Sequence, residues 1–368
     1  MKNALVVLEY ALQYNHAFIS YLKREIKSHV GEIETVHFIK KGDDDIILIL
    51  EEVISQHQNV FVVSTENFSF TGKIIATVCH DGLVLKEGML IPLKSELFTK
   101  NSYLIKKGTT AINVLDVKVG AKIPTILIKN RQPKLSFFLF APQKAKRIER
   151  DLSHLELQYE KAVLVEEVIF YKVYGVHVSQ IDTWIDIINS EYYQDLLVGE
   201  DLSQIICERL IEAGQTITAA ESCTGGWLAS EIVKNSGVSS IFAGSVVTYA
   251  NEVKQSLVGV KESTLRQYGA VSSECVREML HGVMQKFDAD FALAVSGVAG
   301  PTGGTRQKPV GTVYIGAKSR AKDIKIKKLS LKGDRTYIRE TSILWAFRLL
   351  VETNFEIFFK KVQKTLDK

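Results

Sequence analysis

The chain has 368 residues, 46% of them hydrophobic and 24% charged, with 46 basic and 42 acidic residues for a net charge of +4. That length exceeds one ordinary core, so two domains and a small connecting module are expected, without long disordered tails. The balanced charge and the lack of an aromatic-basic stripe give no ground for direct nucleic-acid or membrane binding, which leaves a small-molecule partner.

Cys79, Cys207, Cys223 and Cys275 show neither close pairs nor metal-ligand spacing and read as reduced, mostly buried thiols. The opening "MKNALVVLEYALQY" has no small-residue cleavage site, and no apolar run reaches the roughly 18 residues of a membrane span. The expected location is the cytoplasm.

In chain order, "ALVVLEY", "NHAFISYLKREIKSHV", "ETVHFI", "DIILILEEVISQH" and "NVFVVST" alternate strand-like with amphipathic character. This order predicts a parallel sheet covered by helices. From residue 83 the pieces "GMLIPL", "SYLIKKG", "TAINVLDV", "PTILIK" and "LSFFLFAP" read as an antiparallel excursion on the same domain, ending near residue 142. Residues 143–196 read as a connecting α+β module: helix "QKAKRIERDLSHLELQYEK", strand "VLVEEVIFYKVYG", helix "SQIDTWIDIINSEYYQDLL".

A second α/β domain, 197–368, opens with the helix "GEDLSQIICERLIEAG", which ends at Gly214 where a C-terminal helix signal belongs. Then come strand "TITAA", helix "GGWLASEIVKNSG", strand "FAGSVVTYA", helices "NEVKQSLVG" and "SSECVREMLHGVMQKF", strands "FALAVSG", "GTVYIGAKS" and "IKIKKLSL", and a C-terminal helix. The fold class expected is α/β, with two three-layer α/β/α domains joined by the small module.

The chemistry concentrates in "TAAESCTGGWLAS". Ser222 falls where a strand gives way to a helix, a turn that exposes a nucleophile and offers helix N-terminal N–H groups to an oxyanion or phosphate. Gly225 and Gly226 allow close backbone approach. A plain capping role for Ser222 and Thr224 stays open at this point.

The only histidine beyond residue 177 is His281, in an amphipathic helix, so a Ser-His-Asp arrangement has no support. Lysine remains as a base whose pKa burial can lower, and "SVVTYANEVKQ" supplies Tyr249 and Lys254. "AVSGVAGPTGGTRQKPVGTVYIG" turns between two strands and lacks the Lys-Ser/Thr pair of a nucleotide P-loop. Ser296 and Gly297 stand at a strand end, where ligands gather in open α/β sheets. Arg335 of "LKGDRTYIRE" suits a bidentate phosphate contact, with a solvated surface role as its alternative.

Taken in series, "TAAESCTGGWLA", "VVTYANEVK", "GAVS", "SGVAGPTGGTRQKPVGTV" and "GDR" resemble the C-terminal domain of the CinA family, competence/damage-inducible proteins whose deamidase members act on nicotinamide mononucleotide. The resemblance covers roughly residues 197–365. It implies hydrolysis of the carboxamide of nicotinamide mononucleotide to nicotinate mononucleotide and ammonia, a step of pyridine nucleotide salvage, with no metal or other cofactor. It also implies roles: Ser222 as nucleophile, Lys254 with Tyr249 as base and proton relay, and Thr224, Gly225, Ser296, Gly297 and Arg335 in substrate binding. A homodimer is expected from the same resemblance.

The first half resembles the family's molybdopterin-binding-like N-terminal domain less closely. "LEYALQYN" stands where a "GDELL.G" turn belongs, and "STENFSFTGKII" replaces a loop rich in glycine and aspartate. The glycines that approach a phosphate and the aspartates that hold a divalent metal are gone. Asp43, Asp44 and Asp45 are explained by opening a helix. The expectation is a degenerate, structural or dimerising domain without metal. Two alternatives remain: a catalytically silent nucleotide-binding or scaffold protein linked to competence, and a residual ADP-ribose pyrophosphatase in the first domain.

Overall fold

A run of fully buried residues, Asn3–Val7, forms the first strand (β1) of a computed structural model that describes residues 2–40, 42–65, 67–129, 133–322 and 324–364. The chain divides into two units, Met1–Arg131 and Gln132–Lys368. It is of the mixed α/β class expected.

In the first unit α1 (His16–Val30), β2 (Thr35–Phe38), α2 (Ile46–Gln56), β3 (Asn59–Ser64) and α3 (Phe68–Val78) follow β1. A hairpin of β4 (Leu83–Lys86) and β5 (Met89–Pro92) comes next, then β6 (Leu97–Thr99), β7 (Ser102–Lys107) and β8 (Thr110–Asp116). The six-stranded sheet runs β2-β1-β3-β8-β7-β6.

Alternate residues serve opposite faces, as a pleated strand requires. Leu5, Val7, Phe61 and Val63 pack with Phe18, Leu22 and Ile26 of α1. Ala4, Val6, Val60 and Val62 pack with Leu50 and Val53 of α2 and Ile75 of α3. Three layers result. "TAINVLDV" departs from the expected excursion: β8 runs parallel to β3 and only its other edge meets β7 antiparallel. "PTILIK" makes no strand, although Ile126 and Ile128 are buried. Asp45 stands at the N-cap of α2, in line with the helix-opening reading.

The second unit begins with β9 (Lys134–Leu139), α4 (Ala145–His154), β10 (Gln158–Val165), β11 (Val168–Tyr174), α5 (Val178–Ile187) and β12 (Leu196–Val198), the sheet running β10-β11-β9-β12. Here the sequence reading needs correction. "LSFFLFAP" supplies β9, the strand paired to both β11 and β12, so the unit boundary falls well before residue 142.

The reason lies in its alternation. Phe137 and Leu139 face α4 and α5, whereas Phe138 and Phe140 face the core of the following α/β domain. With both faces apolar, β9 is buried on both. The stretch read as one strand is a hairpin, β10 turning through Glu166 and Glu167 into β11, and β10 also takes in "QYEK", expected as the end of the helix, because α4 stops at His154.

The rest comprises α6 (Leu202–Ala213), β13 (Ile217–Glu221), α7 (Trp227–Val233), β14 (Ser245–Val247), α8 (Asn251–Val258), α9 (Glu262–Tyr268) and α10 (Ser273–Phe287). It ends with β15 (Phe291–Gly297), β16 (Thr312–Ser319), β17 (Lys325–Ser330), α11 (Arg335–Thr353) and α12 (Phe355–Phe358). The sheet order is β14-β13-β15-β16-β17, the first three strands parallel and the last two antiparallel.

Ala219, Leu293 and Val295 join the core with α6, α7 and α11. Ala220, Ala292 and Ala294 join the core with α8 and α10. Among the described residues no helix is long and apolar enough to cross a membrane.

Candidate active site

β13 is the middle strand of the parallel trio, and Ser222 is the first residue beyond it. Its N–H donates to the Val295 carbonyl at 2.9 Å, which keeps it at the carboxyl end of the sheet between β14 and β15. That crevice is where open α/β sheets take ligands.

The turn that follows needs left-handed backbone at Gly225 (φ +61°) and Gly226 (φ +90°), a conformation costly to any residue with a Cβ. The Gly225 N–H closes the turn onto the Ser222 carbonyl at 3.1 Å. Ser222 itself is only 8% exposed.

Lys254 reaches this serine from α8, its Nζ 3.2 Å from Ser222 Oγ. The same nitrogen donates to the carbonyl of Thr248 at 2.5 Å and to that of Tyr249 at 3.3 Å. α8 is held close to α10 at Gly282, where a Cβ would come within 1.9 Å of the Val258 carbonyl oxygen.

Lys254 is 1% exposed and no carboxylate lies within ion-pair distance of it among the described residues. Burial therefore lowers its pKa from the ordinary value of 10.5, with the Cys275 and Cys223 thiols as neighbours that slightly oppose the shift. Burial pushes both thiols up to about 11, so at neutral pH they restore no charge to the amine.

Glu221, the last residue of β13, was not singled out in the sequence. It is fully buried, and its carboxylate accepts from the N–H groups of Gly226 (3.1 Å), Leu228 (2.9 Å) and Ala229 (2.9 Å). This corrects the expectation that the N-terminal N–H groups of α7 serve an oxyanion: three of them are already held by Glu221. Thr224 keeps a backbone N–H with no acceptor among the described residues, and its buried Oγ1 is also unpartnered.

The other expected site residues divide. Tyr249 is brought near Lys254 through its carbonyl only; its ring is 62% exposed, and its hydroxyl accepts from Arg335 Nη2 at 3.3 Å. Arg335, the first residue of α11, also donates to the Gly300 carbonyl at 2.7 Å, which ties it to the glycine-dense loop.

Ser296 and Gly297 close the carboxyl end of β15, the same end of the sheet as Ser222, and among the described residues no hydrogen bond joins them to Ser222 or Lys254. Ser296 Oγ donates to the Ala270 carbonyl at 2.7 Å, joining β15 to the "GAVS" turn. A Cβ on Gly297 would meet Val313 Cγ2 at 2.7 Å. Arg339, one turn beyond Arg335, was also missed in the sequence. It donates to the Thr224 carbonyl at 2.6 Å and lies over the Trp227 ring at 4.8 Å.

This arrangement sits inside a stretch with known relatives. Residues 199–354 match the family model described as the CinA C-terminal domain. The second unit carries a CinA C-terminal domain. A CinA-like protein of Thermosipho melanesiensis is 45% identical over 155 residues, 42% of this chain and 38% of that protein. A CinA-like protein of Fervidobacterium nodosum is 46% identical over 154 residues, with the same coverage of both chains.

Among solved structures, the competence/damage inducible protein CihA of Agrobacterium tumefaciens is 33% identical, covering 42% of this chain and 96% of its own, with a TM-score of 0.41. The chain thus spans under two-fifths of the length of these curated relatives. Ser222, Lys254 and Arg335 all fall within the matched residues of the CinA domain.

Proposed function

We propose that the CinA domain is a serine amidohydrolase that converts nicotinamide mononucleotide to nicotinate mononucleotide and ammonia, using Ser222 as nucleophile and Lys254 as base. One observation carries the reading. A neutral amine has two N–H bonds and one lone pair. The carbonyls of Thr248 and Tyr249 take two directions around Lys254 Nζ, and the third leads to Ser222 Oγ. Burial without a counter-charge favours the neutral form.

In the proposed reaction, Lys254 takes the Ser222 proton as Oγ bonds to the carboxamide carbon. The resulting oxyanion is held by the Thr224 N–H. Lys254 then returns the proton to the amide nitrogen, the C–N bond breaks and ammonia leaves. Water, deprotonated by the same amine, hydrolyses the acyl-serine ester to the acid. Ser222→Ala is expected to reduce ammonia release from nicotinamide mononucleotide to the uncatalysed level while leaving the urea midpoint within experimental error. Retention of wild-type turnover would exclude the mechanism.

Arg335 supports a phosphorylated substrate. Its guanidinium is fixed by a carbonyl and a phenol, with no carboxylate to neutralise it among the described residues, as a phosphate-binding arginine should be. Arg335→Met is expected to raise KM for nicotinamide mononucleotide about 10- to 100-fold with kcat little changed, the signature of lost substrate binding. Tyr249→Phe removes only one acceptor of Arg335. It is expected to change KM by a few fold and to spare kcat, whereas a proton-relay role requires a large fall in kcat. Steady-state kinetics of the two variants decide between those roles.

A further inference from the structure

The peptide between Thr224 and Gly225 is pinned at both ends. Its carbonyl oxygen accepts from Arg339 Nη2 at 2.6 Å and from the Trp227 N–H at 3.3 Å. Its N–H donates to the carbonyl of Ser222 at 3.1 Å. Because carbonyl and N–H share one rigid plane, fixing the oxygen fixes the direction of the N–H, and with it the backbone of the nucleophile.

The holder is itself constrained. The Arg339 guanidinium lies over the Trp227 ring at 4.8 Å, its stem rises from the long helix α11, and its Nη2 lies 3.7 Å from the position a Cβ on Gly225 would take. It has no carboxylate within ion-pair distance among the described residues, and its Nε is buried without a partner. A guanidinium anchored only on a carbonyl and an aromatic face keeps its positive charge available beside the turn.

We propose that Arg339 is a positioning residue for the nucleophile. By holding the Thr224–Gly225 peptide it keeps Ser222 Oγ in line with Lys254 Nζ and leaves the Thr224 N–H free for the developing oxyanion. The proposal rests on the amidohydrolase reading only in taking Ser222 as a nucleophile; it does not depend on which amide is the substrate. A shift of about an ångström in a nucleophile is enough to cost on the order of 100-fold in rate, so the effect belongs to kcat rather than to substrate affinity.

The test uses the full-length chain and two readouts. One is phosphonylation of Ser222 by a fluorophosphonate, in which the serine oxygen displaces fluoride from phosphorus, followed by mass spectrometry. The other is kcat and KM for nicotinamide mononucleotide. Arg339→Met, which keeps much of the stem over Trp227, is expected to slow phosphonylation and kcat in parallel by about 10- to 100-fold with KM within a few fold of wild type. Arg339→Lys, which keeps the charge without the planar fork, should recover part of the loss.

Wild-type rates in Arg339→Met, or a loss confined to KM, overturn the proposal. If the methionine variant does not fold, the lysine variant decides: slowed rates at unchanged KM support the proposal and wild-type rates overturn it. A wild type phosphonylated at Ser222 that releases no ammonia overturns the substrate reading, leaving the Arg339 proposal to stand or fall on the phosphonylation rates. A wild-type Ser222 that resists the probe overturns both.

Discussion

A Lys254→Met variant is expected to release ammonia about 10³-fold more slowly than the wild type, the scale of losing a positioned general base. The methionine fills most of the buried volume but offers Ser222 Oγ no lone pair. The wild type should show the other half of this behaviour in its pH profile. In the proposed mechanism the base works as the neutral amine, so activity is expected to rise with pH and to level off where Lys254 has lost its proton. Burial lowers that point below the ordinary 10.5. A kcat/KM profile whose ascending limb lies at or above 10.5 would remove Lys254 from the role.

Stability follows the same linkage with a definite sign. The unfolded chain holds the proton of Lys254 up to about 10.5, whereas the folded chain releases it at lower pH. Between the two values the unfolded state binds more protons, so folding is favoured progressively as pH rises. The contribution is complete above the unfolded value and is lost as pH falls through the folded one. Urea midpoints of the wild type relative to Lys254→Met should therefore diverge in favour of the wild type as pH is raised from neutrality. A pH-independent difference would mean that the amine titrates alike in both states.

How far the sequence discloses this site depends on the kind of interaction. Ser222, Lys254 and Arg335 are legible because small residues, glycines and a lone lysine mark strand-to-helix turns, and the fold gathers those turns at one sheet edge. Tyr249 shows the limit. Its spacing from Lys254 suggests a pair, but the side chain of one and the carbonyl of the other are distinct groups, and only the carbonyl reaches the amine.

Arg339 does not stand out in a helix that also carries Arg335, Glu340, Arg348 and Glu352, since its partner, the Thr224 carbonyl, carries no side-chain signature. The misplacement of β9 has a similar cause. "LSFFLF" is apolar at nearly every position, and such a run gives no hint of which two layers it separates. The hairpin of β10 and β11 escapes a reading by turn residues because its turn is made by Glu166 and Glu167 rather than by glycine or proline.

Glu221→Ala is expected to destabilise the chain by about 3–5 kcal/mol, the range for removing one partner from a buried, charged hydrogen-bond cluster. The glutamate is the one acidic side chain in β13, a strand without an exposed residue. A carboxylate in such a place must be matched by donors or it would not be tolerated. The donors are the N–H groups of Gly226, Leu228 and Ala229, and the charge also opposes the positive end of α7.

Alanine strands those three donors and leaves a void beside them. Glu221→Gln retains one carbonyl oxygen but turns an NH2 toward at least one N–H, so its cost should be clearly smaller. Urea unfolding of the two variants at neutral pH gives the comparison, with alanine the more destabilised. An alanine variant within about 1 kcal/mol of wild type would show that water or a shifted turn can satisfy the helix. The functional consequence follows from the same bonds. In the proposed mechanism, with the first turn of α7 committed to Glu221, oxyanion stabilisation falls to the backbone next to Ser222, and catalysis is expected to depend on the geometry of residues 222–225 rather than on the helix behind them.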